Sequence, residues 1–226
     1  MSKYLDYEKE YHKALLDNIK NVREDLLNND PTIVLKIENY AVKYDLPIDF
    51  IKHKILKDNI FAINFVKDPS KQTFHQNLAA KFISEIEGVE DFKTLPAGGK
   101  SALYIVNGIL GTEDEVIKGS SKSIDFYWKY KDYECYAAHK YTDMDGGSQD
   151  NQYADLTNFL ANASKSRYEN KLFFAIGDGR YYQRKHTKTK NDCSSKIEYM
   201  NSLYKTEHSI AITTNDLERY LKGDNK

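Results

Sequence analysis

The chain of 226 residues carries 33 basic and 34 acidic residues, which gives a net charge of −1 at pH 7. This balance excludes a protein that binds polyanions over its whole surface, and the hydrophobic share of 40% predicts a substantial core. No apolar run approaches the roughly 20 residues of a membrane-spanning helix, and the charged N-terminus lacks a secretory signal. We therefore expect a cytoplasmic protein with one large domain, or a core and a small accessory region.

The first 70 residues show helical periodicity. A helix is expected over 3–28, and two more are expected over 33–44 and 47–58. The second and third have the length of a helix-turn-helix, but this pattern is nonspecific, and three packed helices are the favoured interpretation. We assign residues 1–70 to a helical N-terminal region that serves packing, dimerisation or DNA contact, and residues 71–226 to the core.

Strands and helices alternate in the rest of the chain. The expected elements are a helix over 70–88, a strand-like run over 101–110, a hairpin over 122–142, a helix over 149–164, a buried strand over 171–179, a helix over 196–205, a strand over 209–214 and a last helix capped by Asn215. This order predicts an α/β fold with a mixed central sheet that has helices on both faces.

Positive charge concentrates between Lys165 and Lys205, where ten basic residues stand against four acidic ones. An excess of this size is typical of surfaces that meet phosphates, although lysine-rich solvated loops are also common. Charge alone does not favour a phosphate-binding surface over a solvated loop. The densest part, RYYQRKHTK from Arg180 to Lys188, is the candidate segment for phosphate contacts.

The stretch KSIDFYWKYKDYECYAAHKYT, residues 122–142, predicts two strands joined by a tight turn near Asp132. Alternation places Asp125 opposite positions 138 to 140, so that Asp125 and Lys140 meet at one end of the sheet. A carboxylate is a ligand that Mg²⁺ prefers, and a lysine can orient water or stabilise charge. The alternative is a polar hairpin in which Lys140 only protects a strand edge from aggregation.

An acid, a hairpin, x-x-K, a helix and a core strand, in this order, resemble the PD-(D/E)xK nuclease superfamily of type II restriction endonucleases. The matching stretches are SIDF at 123–126, AHK at 138–140, GGSQDNQYADL at 146–156 and SIAITTNDLERYL at 209–221. Gln149 and Tyr153 also fit the QxxxY spacing of some members, which often arises by chance.

The resemblance covers residues 72–222 and implies a PD-(D/E)xK-like nuclease core that uses Mg²⁺, with Asp125 and Lys140 as catalytic residues and Asp125 as a metal ligand. The chain departs from the motif at Ala138, where members of the superfamily carry a second acid. Members without that acid often recruit one from the preceding helix, or use a backbone carbonyl. Glu85 and Glu87 are the available donors, and Glu85 is preferred as catalytic and metal-binding residue beside the carbonyl of Ala138.

The resemblance implies an endonuclease that hydrolyses double-stranded DNA at a palindromic, AT-rich site. A palindrome implies a homodimer, and a restriction enzyme implies a cognate DNA methyltransferase in a neighbouring gene. The candidate DNA contacts are Arg180, Tyr181, Tyr182, Gln183, Arg184, Lys185, Lys188, Gln149, Asn151 and Gln152. A noncatalytic DNA-binding protein and a repair or junction nuclease of the same fold stay open as alternatives.

Overall fold

The computed structural model describes residues 4–71, 73–112, 122–143, 147–185 and 193–223, with the backbone alone at 71 and 147–149. These residues form two compact units, of which one is Asp6–Phe74 and the other contains the rest. The expected boundary near residue 70 therefore lies at Phe74. Leu5 belongs with the C-terminal unit because its backbone N–H donates to Asn215 Oδ1 at 2.7 Å and its carbonyl accepts from Asn215 Nδ2 at 3.0 Å.

The N-terminal unit is helical, as its periodicity predicts. Its elements are α1 (Tyr7–Leu27), α2 (Pro31–Tyr44), α3 (Ile48–Lys57), the short α4 (Asn59–Ala62) and 3₁₀ turns at Ile63–Phe65 and Pro69–Lys71. Asp30 caps α2 by accepting from the Thr32 N–H, and Pro31 takes the first helical position, where no donor is needed. The buried faces form one core of Ile19, Leu26, Ile33, Ile37, Ala41, Ile51, Ile55, Ala62 and Phe65. Contact of these helices with DNA stays a prediction.

The C-terminal unit is built on a mixed sheet. Its strands are β1 (Val89–Thr94), β2 (Leu103–Val106), β3 (Ile109–Thr112), β4 (Phe126–Tyr130), β5 (Tyr133–Tyr141), β6 (Lys171–Asp178) and β7 (Ser209–Ile212). Five strands in the described ranges pair in the order β1-β4-β5-β6-β7, antiparallel from β1 to β5 and parallel from β5 to β7. The helices of this unit are α5 (Phe74–Ser84), α6 (Gly147–Ala163), α7 (Arg180–Gln183), α8 (Lys196–Tyr204) and α9 (Thr214–Lys222).

Helices cover both faces of this sheet. Residues of α5 and α9 share one buried cluster with Trp128 of β4 and Phe174 of β6, whose rings stack at 5.4 Å. Residues of α6 and α8 share a second cluster with Ala138 and Phe173 on the opposite face. The prediction of an α/β fold with a mixed, helix-flanked sheet is confirmed. None of the helices in the described ranges combines the length and the apolar character that crossing a membrane requires.

Two elements differ from the expectation. The run at 101–110 is not one strand, because Asn107 and Gly108 adopt φ of +50° and +82° and turn the chain between β2 and β3. This hairpin forms its own two-stranded sheet. Strand β1 was not expected, because its alternation is masked by exposed charged residues on an edge strand.

Two helix ends also differ. Helix α5 ends at Ser84, before the expected stop at Gly88. The N-cap of α9 is Thr213, whose hydroxyl accepts from the Asp216 N–H. Asn215 does not cap this helix, because its carboxamide is bonded to Leu5.

A buried carboxylate ties three of these elements together. Asp178, the last residue of β6, accepts from the Thr214 N–H at 2.9 Å and from the Thr214 hydroxyl at 2.5 Å, both at the start of α9. Its Oδ2 also lies 3.0 Å from Nε2 of His139 on β5. Burial raises the pKa of Asp178, but the hydrogen bonds and charge of His139, with the bonds from Thr214, outweigh it and hold the pKa below its ordinary value.

We expect Asp178→Asn to destabilise the fold in a pH-dependent way. Hydrogen bonds to a charged acceptor contribute about 1.5–3 kcal/mol, so the free energy of unfolding should fall by that amount at pH 7. A carboxyl with a lowered folded pKa stabilises above its unfolded pKa, about 3.9, and loses this contribution as pH falls through the folded pKa. Urea unfolding followed by circular dichroism at pH 7 and pH 3.5 measures both values.

The matched control is Asp91→Asn, because Asp91 makes an exposed ion pair with Lys129 at 2.7 Å. An exposed pair of this kind is screened by water, so the control should behave as the wild type. An equal loss of stability at both pH values in Asp178→Asn would contradict the electrostatic account.

Candidate functional site

Polar side chains gather at one edge of the main sheet. The carboxyl ends of the parallel strands β5, β6 and β7 lie there, and Asp125 lies there because it directly precedes the antiparallel strand β4. In open α/β sheets, ligands commonly bind outside the carboxyl ends of the strands. The candidate site is therefore at this edge.

Asp125 is 3% exposed and has a partner for each carboxylate oxygen. Its Oδ2 accepts the backbone N–H of His139 at 2.8 Å. Its Oδ1 accepts from Nζ of Lys122 at 2.6 Å and from Nε2 of Gln76 at 3.2 Å. These three donors replace the water that burial removes from the carboxylate.

Lys140 lies at the same edge, as the hairpin pattern predicts. The pairing of Phe126 with Ala137 sets Asp125 opposite Ala138, and Lys140 is the diagonal neighbour two residues further on. However, Nζ of Lys140 lies 3.0 Å from Oδ2 of Asp155 on α6. The ammonium that contacts Asp125 belongs instead to Lys122, which precedes β4 and was not among the expected site residues.

Ala138 does not turn its carbonyl toward Asp125. Its methyl group is buried in the cluster that includes Leu156 of α6. The Ala137 carbonyl accepts from the Asp125 N–H at 2.8 Å, and the His139 N–H donates to the Asp125 carboxylate. Because the N–H and C=O of successive strand residues alternate between the two neighbours, the Ala138 carbonyl points to β6. The predicted carbonyl ligand is therefore directed away from the carboxylate, and the His139 carbonyl lies on the side of Asp125.

Glu85 is not brought to the site. It is exposed and follows the last residue of α5, whereas Gln76 in the first turn of that helix contacts Asp125. Eight residues at 1.5 Å each place Ser84, the last residue of the helix, about 12 Å from Gln76 along the helix axis. Glu87 is 86% exposed at its side chain and pairs with Lys222. The helix does supply a polar neighbour for Asp125, but this neighbour is an amide at its other end.

A ring stack fixes the start of α5 beside the site. His75 and Tyr141 of β5 are nearly parallel, with centroids 3.8 Å apart and an interplanar angle of 7°. Gln76 follows His75 directly, so this stack sets the position from which Gln76 reaches Asp125. A search restricted to acids passes over Gln76, although it lies in the helix in which the missing ligand was expected.

A metal ion at this edge would have Asp125 as its carboxylate ligand. In the ranges that the structure describes, no three His, Cys, Asp or Glu side chains are grouped so that they could hold a metal ion. Mg²⁺ is commonly bound by one or two carboxylates, with the remaining positions taken by other oxygens and waters. Asp125 meets that minimum, and its contact with Lys122 marks Oδ1 as an oxygen that accepts a cation.

Two of the predicted DNA contacts belong to the core. Tyr181 is 3% exposed and Tyr182 is fully buried, so neither ring is available for stacking on a base. The Tyr181 hydroxyl donates to Asp150 at 2.7 Å, and Nζ of Lys196 lies 3.9 Å from the centroid of its ring. The prediction for both residues rested on their position in a basic segment. In the structure, the short helix α7 packs both rings into the buried cluster that includes residues of α6 and α8.

The other candidates of this segment are placed differently. Gln183, Arg184 and Lys185 are exposed, whereas Lys188 lies outside the described residues. Arg180 forms an ion pair with Asp143 at 2.6 Å, and its hydrogen bonds hold the pKa of that carboxyl below its ordinary value. Part of the positive excess is thus neutralised within the protein.

The start of α6 holds the remaining candidates. Asn151 is exposed, and Gln152 accepts a hydrogen bond from the Thr142 hydroxyl at 2.7 Å. The side chain of Gln149 lies outside the described part of the chain. Contact of these residues with DNA stays a prediction.

Comparison with known proteins adds no assignment. No family model matches the chain, and neither a curated protein nor a solved structure matches it.

We expect Tyr182→Ala to destabilise the fold, whereas the exposed neighbour Gln183→Ala should not. Loss of a buried aromatic ring costs about 3–5 kcal/mol, because the surrounding cluster relaxes only partly into the cavity. Urea unfolding measures the free energy for both variants. A Tyr182→Ala protein with wild-type stability and weakened DNA binding would instead place this ring at the DNA surface.

Proposed function

We propose that the chain is a Mg²⁺-dependent endonuclease that cuts double-stranded DNA at a palindromic, AT-rich site, as a type II restriction enzyme of the PD-(D/E)xK superfamily. The observation that carries the proposal is the environment of Asp125, a buried carboxylate that binds an ammonium group at the edge where the parallel strands end. A charge in such a position needs a functional or structural reason, because burial without partners is costly.

The order of elements around Asp125 supports the proposal. An acid precedes β4, a two-residue turn leads to β5, Lys140 lies near its end, and α6 then connects to β6, which runs parallel to β5. This is the order on which the resemblance to the superfamily rests. The main departure is Ala138, where the hairpin lacks the second acid of the motif.

The side chains at the edge have distinct expected roles. A bound Mg²⁺ would activate a water and neutralise charge on the phosphate. Asp125 would hold the ion, while Lys140 would leave Asp155 to orient the attacking water or to stabilise charge in the transition state. The exposed side chains of Arg184 and Lys185 would position the DNA backbone without reading its sequence.

The proposed activity implies a dimeric state and a genetic neighbour. Two identical subunits read a palindrome most simply, so we propose a homodimer. An enzyme of this class would cut the DNA of its own host unless the site were modified, so we propose a DNA methyltransferase as its genetic neighbour.

The direct test is incubation of plasmid DNA with the purified protein in Mg²⁺ and in EDTA. Discrete fragments that appear only with Mg²⁺ are expected. Bound but uncut DNA would favour a noncatalytic DNA-binding protein. Nicks, or cleavage confined to branched substrates, would favour a repair or junction nuclease of the same fold.

We expect Asp125→Asn and Lys140→Met to lose cleavage and to keep DNA binding. Asparagine retains an oxygen for the His139 N–H, so the local backbone stays intact while the charge is removed. Loss of a positioned catalytic group typically lowers the rate by about 10²- to 10⁴-fold. Plasmid cleavage rates and gel-shift affinities in Ca²⁺ measure the two properties separately.

The matched control is Lys129→Met on the exposed side of β4, which should cut at the wild-type rate. Near wild-type cutting by Asp125→Asn or Lys140→Met would remove that residue from the site. Retained cutting by Lys140→Met with loss in Lys122→Met would assign the catalytic ammonium to Lys122.

We expect the double change Arg184→Gln and Lys185→Gln to weaken binding to every DNA sequence by a similar factor. Each lost phosphate contact should reduce the slope of log K against log salt by about one unit. Binding curves over a series of salt concentrations measure this slope. Lys131→Gln, at the opposite end of the hairpin, is the control, and an unchanged slope in the double variant would identify a solvated loop.

A further inference from the structure

The carboxylate of Asp125 accepts a hydrogen bond from the neutral side chain of Gln76. Gln76 Nε2 lies 3.2 Å from Asp125 Oδ1, and the two residues are 49 positions apart in the chain. A glutamine carboxamide carries an acceptor oxygen on the same carbon as its nitrogen. Rotation about its last torsion, which is broad and nearly two-fold, exchanges the two atoms at little cost. The same backbone position therefore offers either a donor or an oxygen ligand to whatever binds Asp125.

The cation position beside Asp125 is also defined by a group of this chain. Nζ of Lys122 lies 2.6 Å from Oδ1 and 3.1 Å from the backbone carbonyl of Ser123. An ammonium that sits between oxygens marks a place in which positive charge is stabilised. Oδ1 is thus contacted by both the Lys122 ammonium and the Gln76 amide.

We infer that Gln76 is a metal ligand: its Oε1 supplies the protein oxygen that the hairpin lacks at Ala138, and the divalent ion takes the place of the Lys122 ammonium at Asp125. This inference rests on the proposed metal dependence of the same site. Amide oxygens are accepted ligands of hard divalent cations. Because Gln76 is neutral, the site carries one negative charge instead of two, and its affinity for the ion is limited by that charge.

If Gln76 is a metal ligand, Gln76→Glu and Gln76→Leu should change the affinity for a divalent ion in opposite directions. Gln76→Glu adds the second carboxylate, which should tighten binding of a divalent ion. If Gln76 only donated a hydrogen bond that positions Asp125, the same change would place two like charges side by side and weaken binding. Gln76→Leu removes the oxygen and should weaken binding by about 10- to 100-fold, the range typical of residues that support a metal site.

Titration of the full chain with Mn²⁺ without DNA, followed by electron paramagnetic resonance of the free ion, tests the inference without any cleavage reaction. The expected order of affinity is Gln76→Glu above wild type, and wild type above Gln76→Leu, with Asp125→Asn unable to bind. Glu85→Gln, just beyond the last residue of α5, is the matched control and should bind as the wild type. Far-UV circular dichroism establishes that each variant is folded.

Three other outcomes of the titration would contradict the inference, each at a different step. Wild-type affinity in Gln76→Leu, or weakened binding in Gln76→Glu, overturns the ligand role while leaving the nuclease proposal intact. Reduced affinity in Glu85→Gln assigns the missing oxygen to Glu85 instead. A wild-type chain that binds no Mn²⁺ overturns both this inference and the metal dependence on which it rests.

Discussion

His139 connects the two buried carboxylates on which this edge of the sheet depends. Its backbone N–H is bonded to Asp125, and its ring nitrogen is paired with Asp178. Asp178 in turn holds the start of α9 through Thr214. Buried charge is tolerated only where partners replace the lost water, so each carboxylate constrains the backbone that serves it. One residue of β5 therefore sets the positions of β4, β6 and α9 together.

Much of the fold could be predicted because the decisive signals are local. Helical periodicity marks α1 to α3 and α6, and the alternation of KSIDFYWKYKDYECYAAHKYT marks β4 and β5. The β2–β3 turn was missed although Asn-Gly is a strong hairpin signal, because the run around it is apolar enough to pass for one strand. The prediction that Asn215 caps α9 was wrong. Its side chain is hydrogen-bonded to Leu5, and a local sequence pattern does not indicate a contact between residues so far apart in the chain.

Less of the site could be predicted from the sequence, because much of it depends on contacts between residues far apart in the chain. Asp125 and Lys140 follow from strand alternation, which is a short-range rule, and the structure places both at one edge. Glu85 was preferred because helical spacing places it on a face beside Phe82 and Leu78, but the helix ends at Ser84 and Glu85 is exposed. The roles of Gln76 and Lys122 depend on which residues meet after folding, and nothing in the composition of either segment indicates it.

The double hydrogen bond between Leu5 and Asn215 has a consequence for biosynthesis. During translation, residue 5 leaves the ribosome long before residue 215 exists, so this tie is among the last to form. The helices of Asp6–Phe74 share a core of their own, whereas β7 pairs with β6 only after residue 209 has been made. The unit that binds DNA in our proposal is thus incomplete until β7 and α9 have been made, and a chain that stalls before them would contain the N-terminal helices without a complete sheet.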